Sequence, residues 1–336
     1  MGKIFALVAI LVSSLLMAHS RHAISYEGGD RFGDRLSTYA QARYLSYVTG
    51  IQFLYRPFCY TDQATIDFQA LPYDEVAPKY RLVFRICSAK TLADFYAKAA
   101  NPYTPPTLFI FEYAPTDISE WENDRTRSAL LNIPWRDERF AAYLKQCLVP
   151  NVPIPDLRKE GRLNVADHVR TLSGADTIDT SIYYLPLKHP TLDYHKSQIK
   201  KVYEWNQKKP MHVFLFSDTK KPQELLAQFR NCFLGYDILF DIQFLDKPDT
   251  DHVIQDFFAM QKFNVIIATQ SNFSMMAWRF GSPDMVIFPV HLNGKYPNTE
   301  IDRVQVISRK SDWFPYEMDV ILKEERVAHP DWSHIK

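Results

Sequence analysis

Residues 256–289 read DFFAMQKFNVIIATQSNFSMMAWRFGSPDMVIFP, and the fold class turns on this stretch. The run VIIAT at 265–269 is short, continuous and rich in β-branched residues, which suits a strand buried on both faces. It follows a segment of helical apolar spacing at 251–263. It precedes another at 271–281, which opens with the polar residues Gln270, Ser271 and Asn272. A second buried strand, MVIFP, follows at 285–289. Two such strands separated by a helix form a crossover unit, so they are expected to lie parallel in a sheet covered on both faces.

The same alternation extends upstream. Strands are predicted at 164–169 (NVADHV), 211–218 (MHVFLFSD) and 241–245, with helices at 192–208 and 221–232. Nearer the N-terminus, GGDRFGDRLSTYAQARYLSYVTG at 28–50 reads as a glycine-containing loop that opens a helix, with Gly50 stopping it before an extended run at 51–55. Apolar runs at 80–87 and 107–113 are predicted strands, and 137–148 is a predicted helix. Pro150, Pro153 and Pro155 then punctuate the chain as a linker. The expected organisation is α/β throughout: a leader at 1–23, a Rossmann-like domain at 24–155 and a second Rossmann-like domain at 156–336.

Composition narrows the function classes. The 336 residues carry 39 Lys+Arg against 39 Asp+Glu and are 46% hydrophobic, which excludes a disordered chain. No long basic run supplies the stripe needed to hold a polynucleotide, so no nucleic-acid partner is expected. A small phosphorylated ligand needs only two or three positive groups and stays open. Cys59, Cys87, Cys147 and Cys232 form no C-x-x-C pair, so a cysteine zinc site is not expected; a disulfide and four core thiols both remain open.

The leader has its own logic. Residues 4–18 carry no charge, follow Lys3 and give way to His19, Ser20 and Arg21, with small Ala18 and Ser20 placed as at a cleavage site. As a helix the run spans about 22 Å, shorter than a typical bilayer core. A cleaved secretory signal is expected, with a short membrane anchor through 4–18 as the alternative.

In open parallel sheets, ligands bind beyond the carboxyl ends of the strands. Three such ends carry suitable groups. At the first, Asp167–Arg170, the period of two puts His168 and Arg170 on one face, and a guanidinium offers a phosphate two parallel charge-assisted hydrogen bonds. At the second, Ser217 and Asp218 close an apolar run. At the third, Ser271, Asn272, Phe273 and Ser274 open a helix, whose first-turn amides and dipole favour an anion. Blander readings exist for each: a surface Arg–Asp pair at the first, helix caps at the other two.

Together, GGDRFGDRLSTYAQA, DHVR at 167–170, VFLFSD at 213–218 and the stretch 256–278 resemble, in order and spacing, the α-1,2/α-1,6- and protein O-fucosyltransferase superfamily. The pattern is most similar to glycosyltransferase family 11. The resemblance implies a GT-B fold, two Rossmann-like domains facing across a cleft. It also implies GDP-fucose as the donor substrate, no metal or other cofactor, inversion at the anomeric carbon, and a carbohydrate or glycoprotein hydroxyl as acceptor.

Carried onto this sequence, the resemblance assigns Arg170 to the β-phosphate, His168 to the neighbourhood of the nucleotide and Asp256 to guanine, whose N1–H and exocyclic amine a carboxylate can accept together. It assigns residues 271–274 to the diphosphate, and Gly29 and Gly33 to a loop that closes over the donor. An acid in that loop, Asp30 ahead of Asp34, is the expected general base. The chain departs from the family at 171–176, TLSGAD, where relatives often carry a second arginine, and at Asp34, where many have asparagine.

That departure motivates the alternative, a protein of the same fold that binds a GDP-sugar or glycan without turnover. Asp249-Thr250-Asp251 suggests a metal-dependent glycosyltransferase of the other nucleotide-sugar fold, but its place just ahead of a helix suits caps. Acceptor choice is expected in loops between 60 and 150, where Tyr103, Tyr113, Trp121 and Trp135 either stack on sugars or fill a core, the core being favoured. A leader together with a GDP-fucose donor points to the ER or Golgi lumen or to secretion. The Asn272–Ser274 sequon lies in the expected donor site and is expected to be unglycosylated.

Overall fold

The computed structural model describes residues 21–29, 31–57, 59–60, 63–67, 70–112, 138–171, 188–243, 252–269, 271–281, 283–290, 303–308 and 320–322. The chain forms two compact units, Met1–Asn151 and Val152–Lys336, divided inside the proline-punctuated stretch.

The first unit is built on a five-stranded sheet. Its strands are β1 (Ala23–Glu27), β2 (Gln52–Tyr55), β4 (Leu71–Pro72), β5 (Leu82–Ile86) and β6 (Thr107–Glu112), in the order β4-β2-β1-β6-β5. Every pairing in it is parallel. A separate antiparallel ribbon joins β3 (Ala64–Ile66) to β7 (Leu148–Pro150). Helix α1 (Phe32–Thr49) buries Leu36, Tyr39, Ala40 and Leu45, and it stops where the left-handed Gly50 returns its N–H to the Ser46 carbonyl.

The turn between β1 and α1 needs glycine. Gly29 has φ +84°, and a Cβ there would lie 3.0 Å from the Arg35 nitrogen, in the backbone of the helix it introduces. Helix α2 (Ala89–Ala100), which sequence spacing did not single out, starts at a reciprocal Ser88–Thr91 capping box. Helix α3 (Glu138–Cys147) follows the expected position.

The second unit carries seven strands in the order β10-β9-β8-β11-β12-β13-β14. They are β8 (Leu163–Val169), β9 (Met211–Ser217), β10 (Ile238–Ile242), β11 (Val265–Ile267), β12 (Met285–Val290), β13 (Arg303–Ser308) and β14 (Val320–Leu322). From β10 through β12 the pairing is parallel, and the strand order is that of a doubly wound nucleotide-binding sheet. The strand order reverses between β8 and β11. Helices α4 (Leu192–Trp205), α5 (Pro222–Cys232), α6 (Val253–Met260) and α7 (Asn272–Phe280) alternate with these strands.

Val165, Val213, Leu215, Ile267 and Ile287, each fully buried, build the centre of this sheet's core with Tyr194 and Phe229. The α/β class and the parallel strands match the expectation. Two details differ from it. The strand expected at 241–245 is β10, three residues earlier, because Ile238 pairs with Met211 at the start of β9. And β13 and β14 add an antiparallel edge to an otherwise parallel sheet.

Candidate functional site

The chain order places two strand ends side by side where the sheet reverses. Asp167 on β8 stands in register with Ile267 on β11, so the residues that follow each strand emerge together. From β8 come His168, Val169 and Arg170. From β11 come Ala268 and Thr269, and then Ser271 and helix α7.

His168 is buried at the end of β8. Its Nδ1 lies 3.5 Å from the Thr269 hydroxyl, and its ring is 5.6 Å from that of Phe273 in the first turn of α7. Burial, reinforced by the positive field of Arg170 and by His195 and His189, holds its pKa well below the ordinary imidazole value, so it is neutral at pH 7. A neutral imidazole can donate from one nitrogen and accept at the other.

Arg170 is nearly buried, and its Nε lies 3.9 Å from Asp218 Oδ2 at the end of β9. The other carboxylate oxygen of Asp218 accepts from the Thr171 N–H at 2.7 Å and from the Thr171 hydroxyl at 3.1 Å. Asp218 therefore ties the exit of β8 to the exit of β9. Ser217 beside it is engaged locally, its hydroxyl accepting from the Thr219 N–H at 3.2 Å. Of the two, Asp218 is the one that faces Arg170.

Helix α7 begins without a side-chain cap from Ser271. Its first backbone bond runs from the Met275 N–H to the Ser271 carbonyl at 2.9 Å, so the amides of Asn272, Phe273 and Ser274 precede the helical ladder, in the arrangement that favours an anion. The Ser274 hydroxyl is turned inward, within hydrogen-bond distance of the carbonyls of Thr269 at 3.4 Å and Ser271 at 3.3 Å. This hydroxyl holds the turn.

Asp256 sits in the first turn of α6, next to Phe257, whose ring packs 5.8 Å from that of Phe273. Its Oδ1 is shielded from solvent and has no hydrogen-bond partner among the described residues. Burial pushes its carboxyl up to about 7, against the positive field of His252. A solvent-facing acid would not behave this way. The residue is half-buried with one carboxyl oxygen shielded, and a perturbation of this kind is concentrated at functional sites.

In the second unit His168, Arg170, Ser217 and Asp218 lie at the exits of β8 and β9 and Ser271–Ser274 follow β11, while Asp256 stands on α6, linked to that turn through the Phe257–Phe273 ring contact. Gly29 and Gly33 belong to the first unit. Gly29 forms the left-handed turn into α1, and Gly33 is buried in the first turn of that helix. Asp30 lies outside the described residues, as do 172–176, the Asp249–Asp251 triplet, Tyr113, Trp121, Trp135 and the leader at 1–20. Tyr103 is 90% exposed, which removes it from any core.

All four cysteines carry free thiols. No cluster of three His, Cys, Asp or Glu able to hold a metal ion occurs among the described residues, and no described helix is long and apolar enough to cross a membrane.

Sequence reasoning missed three members of this neighbourhood. Tyr194 and His195 come from α4, some twenty-five residues after β8, and Thr269 closes β11. The signal for His195 was Asp167, an acid inside a buried strand that has to find a partner.

No protein-family model and no curated protein sequence matches the chain. Solved structures similar to it include fucosyltransferases. A variant of Arabidopsis thaliana FUT1 in complex with GDP aligns over 81% of this chain and 72% of its own, at 10% identity and a TM-score of 0.49. The fucosyltransferase NodZ from Bradyrhizobium aligns over 87% of this chain and all of its own, at 14% identity and a TM-score of 0.45. POFUT1 in complex with GDP-fucose covers 79% and 96%, at 13% identity and a TM-score of 0.42.

Proposed function

We propose that this chain is a glycosyltransferase that moves fucose from GDP-fucose to a hydroxyl of a glycan or protein, with inversion and without a metal. The observation that carries the reading is the emergence of Arg170 and the start of helix α7 from neighbouring strands at the reversal point of the second sheet, with Asp256 on α6 joined to that turn through the Phe257–Phe273 contact. A cation and a row of amides suit a diphosphate. Once ionised, the Asp256 carboxylate offers two acceptors to the two donors of guanine. Fucose as the sugar rests on the motif resemblance of 167–170, 213–218 and 256–278.

In this mechanism the bond between the sugar and the β-phosphate breaks as an oxocarbenium-like centre develops, and negative charge grows on the departing phosphate oxygen. Arg170 and the amides of 272–274 meet that charge; removing one preorganised donor from the oxyanion hole of an acyl-transfer enzyme costs about 2.7–4 kcal/mol, which sets the scale. Neutral His168 contributes a hydrogen bond without adding charge. The acceptor proton goes to a carboxylate of the glycine loop in the first unit, for which Asp30 is our candidate. The leader-like residues 1–23 favour a secretory lumen, with either cleavage or anchoring through 4–18.

The competing assignment, a binding protein without turnover, draws support from Asp218, which stands against Arg170 and partly offsets its charge. Release of fucose from GDP-fucose by the purified chain, with and without a chelator, separates the two. Turnover that persists in chelator and drops at least 100-fold in Arg170→Ala is expected. Tight GDP binding with no fucose release across a broad acceptor panel would establish the binding protein instead.

A further inference from the structure

Two consecutive residues of α4 grip both strands that flank the reversal point. His195, fully buried, places its Nδ1 2.6 Å from Oδ1 of the equally buried Asp167 on β8. Tyr194, also fully buried, donates its hydroxyl to the Ala268 carbonyl at 3.3 Å, just beyond the end of β11. The two rings meet edge to face at 5.1 Å, so the two bonds are mechanically joined. Asp167 Oδ2 and His195 Nε2 have no other hydrogen-bond partner among the described residues, so this one bond sets both side chains.

The strand pattern gives this grip a consequence. Asp167 lies three residues before Arg170, and Ala268 lies three before Ser271. The two halves of the anion site, the guanidinium and the start of α7, are each tethered through a short segment to one turn of α4. We infer that Tyr194 and His195 are positioning residues for the diphosphate. Neither touches the ligand; together they fix the separation between Arg170 and the amides of 272–274. The inference rests on the nucleotide reading proposed above and adds to it a source of preorganisation outside the ligand-contacting set.

The test is calorimetric titration of the full chain and its variants with GDP, guanosine and inorganic pyrophosphate. In His195→Phe, which keeps a ring and removes the hydrogen bond, affinity for GDP and pyrophosphate should fall about tenfold or more, as with outer-shell partners of bound ions, while guanosine binds unchanged. His195→Asn, whose amide can donate from the place of Nδ1, should recover most of the loss. A merely structural role would weaken all three ligands alike, without rescue, and that result overturns the inference.

Unchanged GDP binding by a folded His195→Phe protein also overturns it. If His195→Phe does not fold, Tyr194→Phe removes only the hydroxyl, and undiminished pyrophosphate affinity there contradicts the inference equally. A wild-type chain that binds neither GDP nor pyrophosphate overturns the nucleotide reading itself, and this inference with it. That outcome is distinct from a wild type that binds and variants that do not differ.

Discussion

Arg170 and Asp218 face each other across the exits of β8 and β9, with Nε 3.9 Å from Oδ2. The carboxylate orients the guanidinium and also lowers the positive potential that a diphosphate would meet. At this separation, and at the effective dielectric of a protein surface, the attraction is about 4 kcal/mol before desolvation and screening reduce it. Asp218→Asn keeps an oxygen for the Thr171 N–H and removes the charge. Affinity for pyrophosphate should rise several-fold at low salt and converge on wild type as ionic strength increases, measured by titration at two salt concentrations.

Arg170 supplies the one guanidinium at the anion site among the residues described there. Its loss should weaken GDP by about 1.5–3 kcal/mol, roughly 10- to 100-fold in Kd. Arg170→Lys keeps the charge and loses the planar fork, so it should recover only part of that affinity. Guanosine, which has no phosphate, should bind both variants as it binds wild type.

Asp256 makes the site pH-dependent in a direction that can be worked out. Guanine needs the ionised carboxylate as acceptor, but burial raises this carboxyl to about 7. GDP affinity should therefore fall as pH drops below about 7, approaching tenfold per pH unit, and flatten above it. Asp256→Asn should bind more weakly and lose this slope, with Kd measured between pH 5 and 8.5 as the check.

The same carboxyl sets a stability trade-off. Because its folded pKa stands above the unfolded value of 3.8, the folded state holds the proton more tightly between those two values. The stabilisation is full below the unfolded pKa and is lost as pH rises through about 7. Above that, an ionised, half-buried Asp256 opposes folding by on the order of 4 kcal/mol at most. Asp256→Asn should raise Tm at pH 8 and leave it nearly unchanged near pH 4.

Gly29→Ala forces a side chain into a left-handed turn and against the Arg35 backbone. A cost of about 1–3 kcal/mol is expected, seen as a lowered denaturation midpoint.

Much of the second sheet was legible because its strands are buried on both faces. VIIAT and MVIFP could only be interior strands, and the helices between them set the direction of pairing. The antiparallel edge escaped notice because RVQVIS at 303–308 alternates apolar with polar residues over one short span and has no crossover to announce it. Helix α2 was missed because AKTLADFYAKAA is short and alanine-rich, its buried face resting on Leu92 and Phe95 and its start on the Ser88–Thr91 box. Arg170 and the 271–274 turn were readable as strand-end chemistry. The desolvation of Asp256 was not, since an acid in the first turn of an amphipathic helix usually faces water. The Asp167–His195 bond joins residues 28 apart in sequence, and only the packing of α4 on the sheet brings them together.

The central claim is that the reversal point of the second sheet holds a guanosine diphosphate. It is tested most directly by calorimetric titration of the wild-type chain, at pH 7.5 and without divalent metal, with GDP, GDP-fucose, UDP and ADP. Saturable binding of GDP and GDP-fucose, at least tenfold tighter than of UDP or ADP, is the expected result. Equal affinity for all four, or preference for UDP or ADP, would contradict the assignment of Asp256 to guanine and with it the proposed donor.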